Sequence, residues 1–357
     1  MTKFGFNCRN HVIGYFLYYL NNLIFFFRIK KKLPLNKVVK SILISNISQI
    51  GDVLVNLYFI NNLRKLYPYS KIYFLCSSSS VALLNEVKNI DGIIIFDHYL
   101  FNRNTNFINK LFTHFTSFWA ARNAIKKLSI DIAIESRWHL INSLFLLSIS
   151  NIKYIKSFSS SALRALSDEI ISMNNFSDNY SIRLANLYRV KISNTISFKV
   201  VEKNFEYKNF CVLHIEGNSV NQLPNIFWLS TLREIEKLFY IDHIIFTGIR
   251  ADTSLRVNQF KSSKIINLIG ITTISDLIFL YSKAKFVISV DTFNGHLAAS
   301  VSNDCRFIST GRWSSIWFPH QNSVRKITHE VPCAPCYRPN GCRDMTCLNG
   351  IDPLGLL

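Results

Sequence analysis

A short segment near the C-terminal end, residues 286–301, combines an acid, a hydroxyl and an imidazole at the start of a predicted helix. Its sequence is FVISVDTFNGHLAASV, in which an apolar, β-rich run ends at Asp291 and Thr292. The pattern predicts a buried parallel strand that turns directly into a helix whose first backbone N–H groups are unpaired. Those donors and the helix dipole together stabilise an anion, typically a phosphate. His296, one turn along on the same side, favours a polar binding site over the alternative in which Asp291 only caps the helix.

A second acid, Asp52, occupies a similar position in the first half of the chain. The sequence SQIGDV at 48–53 follows a buried-strand pattern at Ser41–Ile47 and precedes apolar residues at helical spacing. Ser48 and Gly51 therefore belong to a predicted strand-to-helix turn, with Asp52 at the end of the strand. Taken alone, Asp52 is interpreted as an N-cap acid of a helix predicted over 53–66.

These two turns belong to a regular alternation of strands and helices. Strands are predicted at 41–47, 71–76, 92–96, 131–135 and 152–155 in the first half, and at 210–215, 243–247, 264–268, 286–290 and 305–309 in the second. Helical patterns separate most of them, so each half is predicted to form a doubly wound parallel sheet. Two such domains facing each other place ligands at the carboxyl ends of the strands, in the cleft between them.

Length and composition agree with two domains. The chain has 357 residues, a length that exceeds what a single hydrophobic core usually organises. Its composition, 49% hydrophobic, is too apolar for a disordered chain. The predicted divisions are an N-terminal segment 1–40, a first Rossmann-like domain 41–205 and a second at 206–357. The net charge of +19 predicts attraction to anionic lipid, nucleic acid or nucleotide without choosing among them. No basic stripe with interleaved aromatic residues occurs beyond 25–40, so no nucleic-acid partner is predicted.

The N-terminal segment is a candidate for membrane contact. Residues 12–27 are strongly apolar and are followed by a basic run, but Asn21 and Asn22 interrupt them and about 16 residues fall short of a comfortable span. A basic stop without a small-residue cleavage site argues against a secretory signal. We interpret the segment as an interfacial anchor beside anionic headgroups; a buried extra helix and a true span are the alternatives.

The cysteines and the missing motifs limit the chemistry. Three cysteines lie in apolar strand-like runs, and a cluster near the C-terminus has C-x2-C-x5-C-x4-C spacing, formed by Cys333, Cys336, Cys342 and Cys347. We predict reduced structural thiols there, with a structural zinc and a disulfide or redox use as alternatives.

The chain has no D-x-D, so metal-free chemistry without a required cofactor is expected. It also has no G-x-G and no G-x-x-x-x-G-K, which argues against dinucleotide oxidoreductases and P-loop NTPases.

With these residues identified, the chain resembles glycosyltransferase family 9, the ADP-heptose:lipopolysaccharide heptosyltransferases, which have the two-Rossmann-domain GT-B architecture. In the first half, SQIGDV at 48–53 and RKLYPYSKIYFL at 64–75 resemble the S-x-x-G-D turn, first helix and second strand of the family. In the second half, NLIGITTISDL at 267–277 and VISVDTFNGHLAAS at 287–300 resemble its N-L-x-G-x-T and D-T-G-x-x-H-L-A-A segments. The resemblance runs from about residue 41 to the C-terminus and is weakest at about 97–205.

The resemblance implies an inverting sugar transfer from a nucleotide-sugar donor. It assigns the general base to Asp52, in a cleft turn with Ser48 and Gly51. It assigns donor binding to the segment that comprises Asp291, Thr292, Phe293, Asn294, Gly295 and His296. Ser219 and Thr272 lie at predicted strand-to-helix turns of the same domain and should border the nucleotide. Three positions depart from the family pattern: Asn46 and Asn221 replace basic residues, and Phe293 replaces a glycine.

The interpretation is therefore a glycosyltransferase that moves heptose from ADP-heptose onto a lipopolysaccharide core or related surface glycan. Its expected partners are the nucleotide sugar, a lipid-linked glycan acceptor and an anionic membrane surface, on the cytoplasmic face of a bacterial inner membrane. The changes at Asn221 and Phe293 favour, as an alternative, the same fold with another nucleotide sugar. A degenerate member that binds glycan or lipid without turnover is a further alternative.

Overall fold

The chain forms two compact units, residues 1–193 and 194–357, called here the N-terminal and C-terminal units. A computed structural model describes residues 11–31, 38–102, 106–172, 179–199, 203–217, 220–312, 314–336, 338 and 340–357. The division falls before the boundary predicted after residue 205, because the intervening segment packs on the C-terminal unit. Lys203 forms an ion pair with Asp276, and the ring of Phe205 packs on that of Phe279 with centroids 5.9 Å apart.

The N-terminal unit is built around a six-stranded parallel sheet of order β3-β2-β1-β4-β5-β6. Its strands are β1 (Ser41–Asn46), β2 (Lys71–Cys76), β3 (Gly92–Ile95), β4 (Ile132–Glu135), β5 (Tyr154–Phe158) and β6 (Glu169–Ile171). Every residue of β1 is buried, as expected for a central strand covered on both faces. The strand order reverses between β1 and β4, and in doubly wound sheets a crevice forms at the carboxyl ends of two such strands.

Seven α-helices accompany these strands in the described part of the unit. They are α1 (His11–Phe27), α2 (Ile50–Leu57), α3 (Ile60–Leu66), α4 (Val81–Asn85), α5 (Phe107–Leu128), α6 (Leu144–Ser148) and α7 (Tyr180–Tyr188). The single helix predicted over 53–66 is wrong, because a turn at Tyr58 and Phe59 separates α2 from α3. Phe59 is fully buried and stacks on Tyr188 with ring centroids 5.0 Å apart. This tertiary contact favours the turn, and helical periodicity gives no sign of it.

The C-terminal unit repeats the same architecture with strand order β12-β11-β10-β7-β8-β9. Its strands are β7 (Phe210–His214), β8 (His243–Thr247), β9 (Ile265–Asn267), β10 (Val287–Val290), β11 (Cys305–Ile308) and β12 (Val324–Ile327). All of the pairings are parallel. The order reverses between β7 and β10, so here too the carboxyl ends of two central strands flank the predicted crevice. Two doubly wound parallel sheets confirm the predicted α/β class.

The helices of the C-terminal unit cover both faces of this sheet. They are α8 (Asn225–Glu236), α9 (Ala251–Val257), α10 (Ile274–Lys283), α11 (Phe293–Val301), α12 (Ser314–Trp317) and α13 (Thr346–Asn349). A 3₁₀ turn at Pro353–Leu356 packs against α8, and Leu356 is fully buried. The C-terminal residues thereby complete the core of this unit.

Helix α1 is attached to the N-terminal unit along one side only. The Asn21 Oδ1 atom accepts a hydrogen bond from the Ala165 backbone N–H at 3.0 Å, and Arg28 pairs with the buried Asp168 at 3.2 Å. Its large apolar side chains are mostly exposed, so the buried-helix alternative is wrong. Among the described residues, no helix is both long enough and apolar enough to cross a bilayer.

Candidate active site

Asp52 lies in the first turn of α2, directly beyond the carboxyl end of the central strand β1. The N-cap of this helix is Gln49, whose side chain makes no capping bond, and the Asp52 backbone N–H donates to the Gln49 carbonyl at 3.0 Å. The interpretation of Asp52 as the N-cap acid is therefore wrong. Because its carboxylate is not used to cap the helix, it is available to other groups at the carboxyl edge of the sheet.

A short chain of polar atoms links this carboxylate to β1. The Ser48 Oγ atom lies 2.6 Å from Asp52 Oδ2 and 2.5 Å from Asn46 Oδ1. A hydroxyl has one proton, so Ser48 donates to only one of these oxygens at a time. When Asp52 is protonated, it can donate to Ser48 while Ser48 donates to Asn46, and all three groups are then satisfied. The turn can therefore hold Asp52 in either protonation state.

A cation contributed by the neighbouring strand faces the same carboxylate. Arg137 follows β4, which pairs with β1, and its Nη1 atom lies 3.6 Å from Asp52 Oδ2. The guanidinium also stacks over the ring of Phe101 at 4.5 Å, which fixes its position. The family pattern has a basic residue where this chain has Asn46. Here the positive charge beside the acid comes from Arg137 instead.

These surroundings set the proton affinity of Asp52. Burial raises the pKa of its carboxyl above the ordinary value, while Arg137 and the Ser48 hydrogen bond oppose that rise. The side chain still exposes 29% of its surface. An accessible carboxylate with a raised pKa is a stronger base than a solvated one, and this property suits a group that accepts a proton.

A buried polar layer lies behind Asp52 and supports the turn. Tyr180 donates from its hydroxyl to the Ser136 carbonyl at 3.1 Å, and the Ser136 Oγ atom accepts from Asn46 at 3.1 Å. Glu135, the last residue of β4, is fully buried and accepts from the Ser143 backbone N–H at 2.7 Å. Burial raises the pKa of Glu135 as well. Glu135 is therefore enclosed, whereas the carboxylate of Asp52 is partly exposed.

In the C-terminal unit, Asp291 and His296 meet at the beginning of α11. Thr292 is the N-cap, and its side chain makes no capping bond. The His296 Nε2 atom lies 3.8 Å from Asp291 Oδ1, which is too long for a hydrogen bond. Burial raises the pKa of Asp291 to about 6 against the opposing charge of Arg312, and burial lowers the pKa of His296 to about 4. Near neutral pH the imidazole is therefore uncharged beside a carboxylate.

Arg312 brings a positive charge to this helix N-terminus. It follows β11, the strand next to β10, and donates from Nη2 to Asn221 Oδ1 at 2.8 Å. Asn221 in turn donates from Nδ2 to the Asp291 carbonyl at 2.8 Å. Position 221 is near the place where the family pattern has a lysine. In this chain the asparagine orients a guanidinium that comes from another strand.

The loop residues after Thr292 have different roles. Phe293 begins the helix and is half-buried. The Asn294 side chain points into the core, where its Oδ1 accepts from the Tyr281 hydroxyl at 3.2 Å and its Nδ2 lies 3.2 Å from His214 Nε2. A Cβ atom at Gly295 would lie 2.7 Å from the Phe307 ring. Gly295 is thus required for the packing of α11 on β11, and the side chain of Asn294 is used within the core.

The other predicted site residues are placed as follows. Thr272 is half-buried and precedes Thr273, the N-cap of α10. Gly51 faces open space, with nothing within 4 Å of an added Cβ atom. Ser219 lies outside the described residues. The structure thus places Ser48, Gly51 and Asp52 in one turn of the N-terminal unit, and Asp291 to His296 in one turn of the C-terminal unit.

The cysteines at the C-terminus do not form a metal site in the part of the chain that the structure describes. Cys333 and Cys342 are exposed, Cys336 is half-buried and Cys347 is buried, and all four are free thiols. Among the described residues, no three His, Cys, Asp or Glu side chains are gathered in a way that could hold a metal ion. The structure gives no support to the zinc alternative.

Known structures share this architecture. No family model and no curated protein matches the sequence. The E. coli ADP-heptose lipopolysaccharide heptosyltransferase II superposes with a TM-score of 0.67 at 13% identity, over 88% of this chain and 95% of that one. A family 9 glycosyltransferase from Veillonella parvula gives 0.65 at 14% identity, over 84% and 87%. The chain has the fold of these glycosyltransferases. An E. coli heptosyltransferase solved with ADP-2-deoxy-2-fluoro heptose gives 0.63 at 14%, over 81% and 93%. At these identities the likeness confirms the GT-B fold that the family resemblance implied.

Within this GT-B fold, sequence reasoning missed the two arginines that face the acids. Arg137 and Arg312 each follow a strand that is a spatial neighbour of the strand before the acid. The sequence does mark both arginines as candidates, because each lies just beyond a predicted buried strand, at the sheet edge where ligands bind. Choosing them required the strand order, which the sequence does not state.

Proposed function

We propose that this chain is an inverting glycosyltransferase that moves heptose from ADP-heptose onto a lipopolysaccharide core or a related surface glycan. The observation that carries the proposal is the accessible carboxylate of Asp52, with Arg137 3.6 Å away, at the point where the strand order reverses. Heptosyltransferases with the same fold support the choice of reaction.

Asp52 is the general base in this proposal. It accepts the proton of the acceptor hydroxyl while that oxygen attacks the anomeric carbon, and the bond from that carbon to the diphosphate oxygen breaks in the same displacement. One displacement from the opposite face inverts the anomeric configuration. Asp52 must be ionised to accept the proton, and Arg137 and Ser48 limit the rise in its pKa that burial causes.

The N-terminus of α11 receives the departing diphosphate. The helix provides backbone N–H groups of its first turn, and Arg312, near Asp291, provides a positive charge. The uncharged His296 is a hydrogen-bonding group rather than a second cation. Stabilising the leaving group through a guanidinium and amides fits a reaction that needs no metal ion.

The donor and the place of action are further parts of the proposal. ADP-heptose is the first choice because solved neighbours are named for it or for its fluoro analogue. Another nucleotide sugar is the alternative favoured by Asn221 and Phe293. The enzyme would work at the cytoplasmic face of a bacterial inner membrane, where the exposed apolar side of α1 and the basic residues after it contact anionic lipid around a lipid-linked acceptor.

Two measurements on the full-length protein test the function. In the first, melting temperature is measured with ADP-heptose, UDP-sugars and GDP-sugars, since a ligand that binds only the folded state raises it. We expect ADP-heptose to raise the melting temperature. If only another class of nucleotide sugar raises it, that class would be the donor instead of ADP-heptose.

In the second measurement, transfer to a lipopolysaccharide core acceptor is compared between the wild type and Asp52→Asn. Loss of a general base lowers kcat by about 10²–10⁴-fold while donor stabilisation persists. Donor binding without any turnover by the wild type would support the degenerate alternative. An Asp52→Asn variant as active as the wild type would exclude Asp52 as the base.

A further inference from the structure

Helix α5 carries an exposed aromatic stripe that the fold of the unit does not use. Ile108, Phe112, Phe115 and Trp119 recur at intervals of four, three and four residues, so they lie on one side of the helix. Each of them exposes between 52% and 75% of its surface. We call these four residues the α5 stripe.

The stripe is distinct from the side of α5 that packs on the sheet. Ala121 and Ile125 are the buried residues of the helix, and Phe118 and Leu128 pack beside them against the core. At 100° per residue, the α5 stripe is turned by roughly a third of a circle from this buried side. The helix therefore has one apolar side for its own core and a second that the unit leaves uncovered.

Helix α1 has a stripe of the same kind. Its members recur at the same intervals and expose between 56% and 83% of their surfaces: Val12, Phe16, Tyr19, Leu23 and Phe26. Contacts connect the two helices in a row, because α1 packs on the 3₁₀ turn Arg164–Leu166, this turn packs on α6, and α6 packs on α5. Phe145 of α6 is also exposed, and its ring stacks on that of Phe118 at 6.1 Å. Exposed apolar groups thus occur on α1, α6 and α5, the three helices of this row.

The charge of this row indicates which partner covers it. None of its elements contains an acidic residue, and the sequence from 98 to 130, which includes α5, has no Asp or Glu. Helix α5 carries Lys110, Arg122, Lys126 and Lys127, and none of these takes part in an ion pair among the described residues. Arg122 stacks over Trp119 at 5.3 Å, which joins the basic and aromatic parts of the surface.

We infer that the α5 stripe is a membrane-docking surface that binds an anionic lipid bilayer together with α1. Exposed aromatic and aliphatic side chains enter the headgroup region, and neighbouring Lys and Arg side chains attract anionic headgroups. A helix that carries four Lys or Arg residues and no acid fits an anionic lipid surface better than it fits a second copy of this chain, which carries the same positive charge. The inference does not depend on glycosyl transfer, because lipid binding needs no nucleotide sugar.

The test is co-sedimentation of the full-length protein with vesicles of phosphatidylcholine alone and of phosphatidylcholine mixed with phosphatidylglycerol. The stripe variant combines Phe112→Ser, Phe115→Ser and Trp119→Ser. A matched control removes apolar residues of the C-terminal unit that are between 65% and 95% exposed, through Ile226→Ser, Phe239→Ser and Ile249→Ser. We expect the stripe variant to bind anionic vesicles at least about tenfold more weakly than the wild type, and the control to bind equally.

Because α1 is also expected to bind lipid, the comparison is repeated after Phe16→Ser, Tyr19→Ser and Leu23→Ser are introduced into the wild type, the stripe variant and the control. Binding that remains in this background depends on α5, so the stripe substitutions should reduce it further. A stripe variant that binds like the control in both backgrounds would overturn the inference. So would a lipid-free dimer, seen by sedimentation equilibrium, that the stripe substitutions dissociate, since the occupant would then be a second copy.

A second measurement does not depend on multiple substitutions. Brominated phosphatidylglycerol quenches tryptophan fluorescence only at short range, and Trp119→Phe removes one indole while keeping an aromatic ring. We expect less quenching in Trp119→Phe than in the wild type at equal vesicle binding. Equal fractional quenching of the two proteins would show that Trp119 stays outside the bilayer and would contradict the inference.

Discussion

Arg312 and Asn221 are joined by a hydrogen bond of 2.8 Å from the guanidinium Nη2 to the amide Oδ1. The same Asn221 amide donates to the Asp291 carbonyl at the mouth of α11. Asn221 thus supports the guanidinium that supplies the positive charge near Asp291.

Removing Arg312 should weaken diphosphate binding. In Arg312→Gln the positive charge near Asp291 is lost. Although Arg312 is itself buried, its charge acts on the diphosphate through space, and we expect the affinity for ADP, measured by calorimetry, to fall by at least about tenfold. Arg325→Gln is the matched control, because Arg325 lies on the edge strand β12. Equal ADP affinities in the wild type and Arg312→Gln would contradict this role.

Removing Arg137 should shift the pH dependence of transfer. Arg137 lowers the pKa of Asp52, so Arg137→Ala raises that pKa and reduces the ionised fraction at acidic pH. The acidic limb of the kcat/KM profile should therefore move to higher pH, while the rate at alkaline pH changes less. Arg137→Lys keeps a charge and should shift the limb less. If the acidic limb of the profile is unchanged in Arg137→Ala, Arg137 does not influence the pKa of Asp52.

The Asp291 and His296 pair should give stability changes of opposite pH dependence. The folded-state pKa of Asp291 is raised from 3.8 to about 6, so its ionisation costs stability as pH rises through that window. Asp291→Asn removes this cost and should be more stable than the wild type by about 1–3 kcal/mol at neutral pH, with a smaller difference near pH 4.

For His296 the sign is reversed, because its folded-state pKa is lowered from 6.5 to about 4. The wild type therefore loses stability as pH falls through that range, and His296→Gln should gain relative to it. Urea unfolding at several pH values checks both differences. Parallel curves for the two variants and the wild type would show that neither group is coupled to folding.

Two glycines in the first turns of α2 and α11 should respond differently to alanine. At Gly295 an added Cβ atom would lie 2.7 Å from the Phe307 ring and 2.9 Å from the Val290 carbonyl oxygen, so Gly295→Ala should destabilise by about 1–3 kcal/mol. At Gly51 the added atom meets nothing, and the better helix propensity of alanine should leave stability unchanged or slightly higher. Thermal unfolding measures both, and equal effects would refute the packing argument for Gly295.

The sequence predicted the central strands well because these strands are continuous apolar runs. Residues 71–76 and 243–247 were predicted with the observed bounds. Strands β6 and β12 were not predicted, since both are edge strands whose partly exposed residues form no apolar run. The turn within 53–66 was missed because a distant ring, that of Tyr188, decides it.

The acids of the candidate site were found because strand-to-helix turns are local features. Asp52 and Asp291 each follow a recognisable strand and precede a helical pattern. The charges opposite them come from residues far away in the sequence, and only the strand order brings Arg137 and Arg312 to their partners. The role of Gly295 was equally hidden, because it depends on the ring of a residue on the next strand.

The attachment of α1 has a practical consequence for anyone who shortens this protein to improve its solubility. One carboxylate oxygen of the buried Asp168 accepts hydrogen bonds from the Arg28 side chain and the Lys31 backbone N–H. Deleting residues 1–31 would leave that oxygen without both donors inside the protein, and a truncated enzyme should express poorly. Its failure would then reflect a damaged fold and would say nothing about lipid, so the exposed apolar side chains of α1 are better substituted than deleted with the helix.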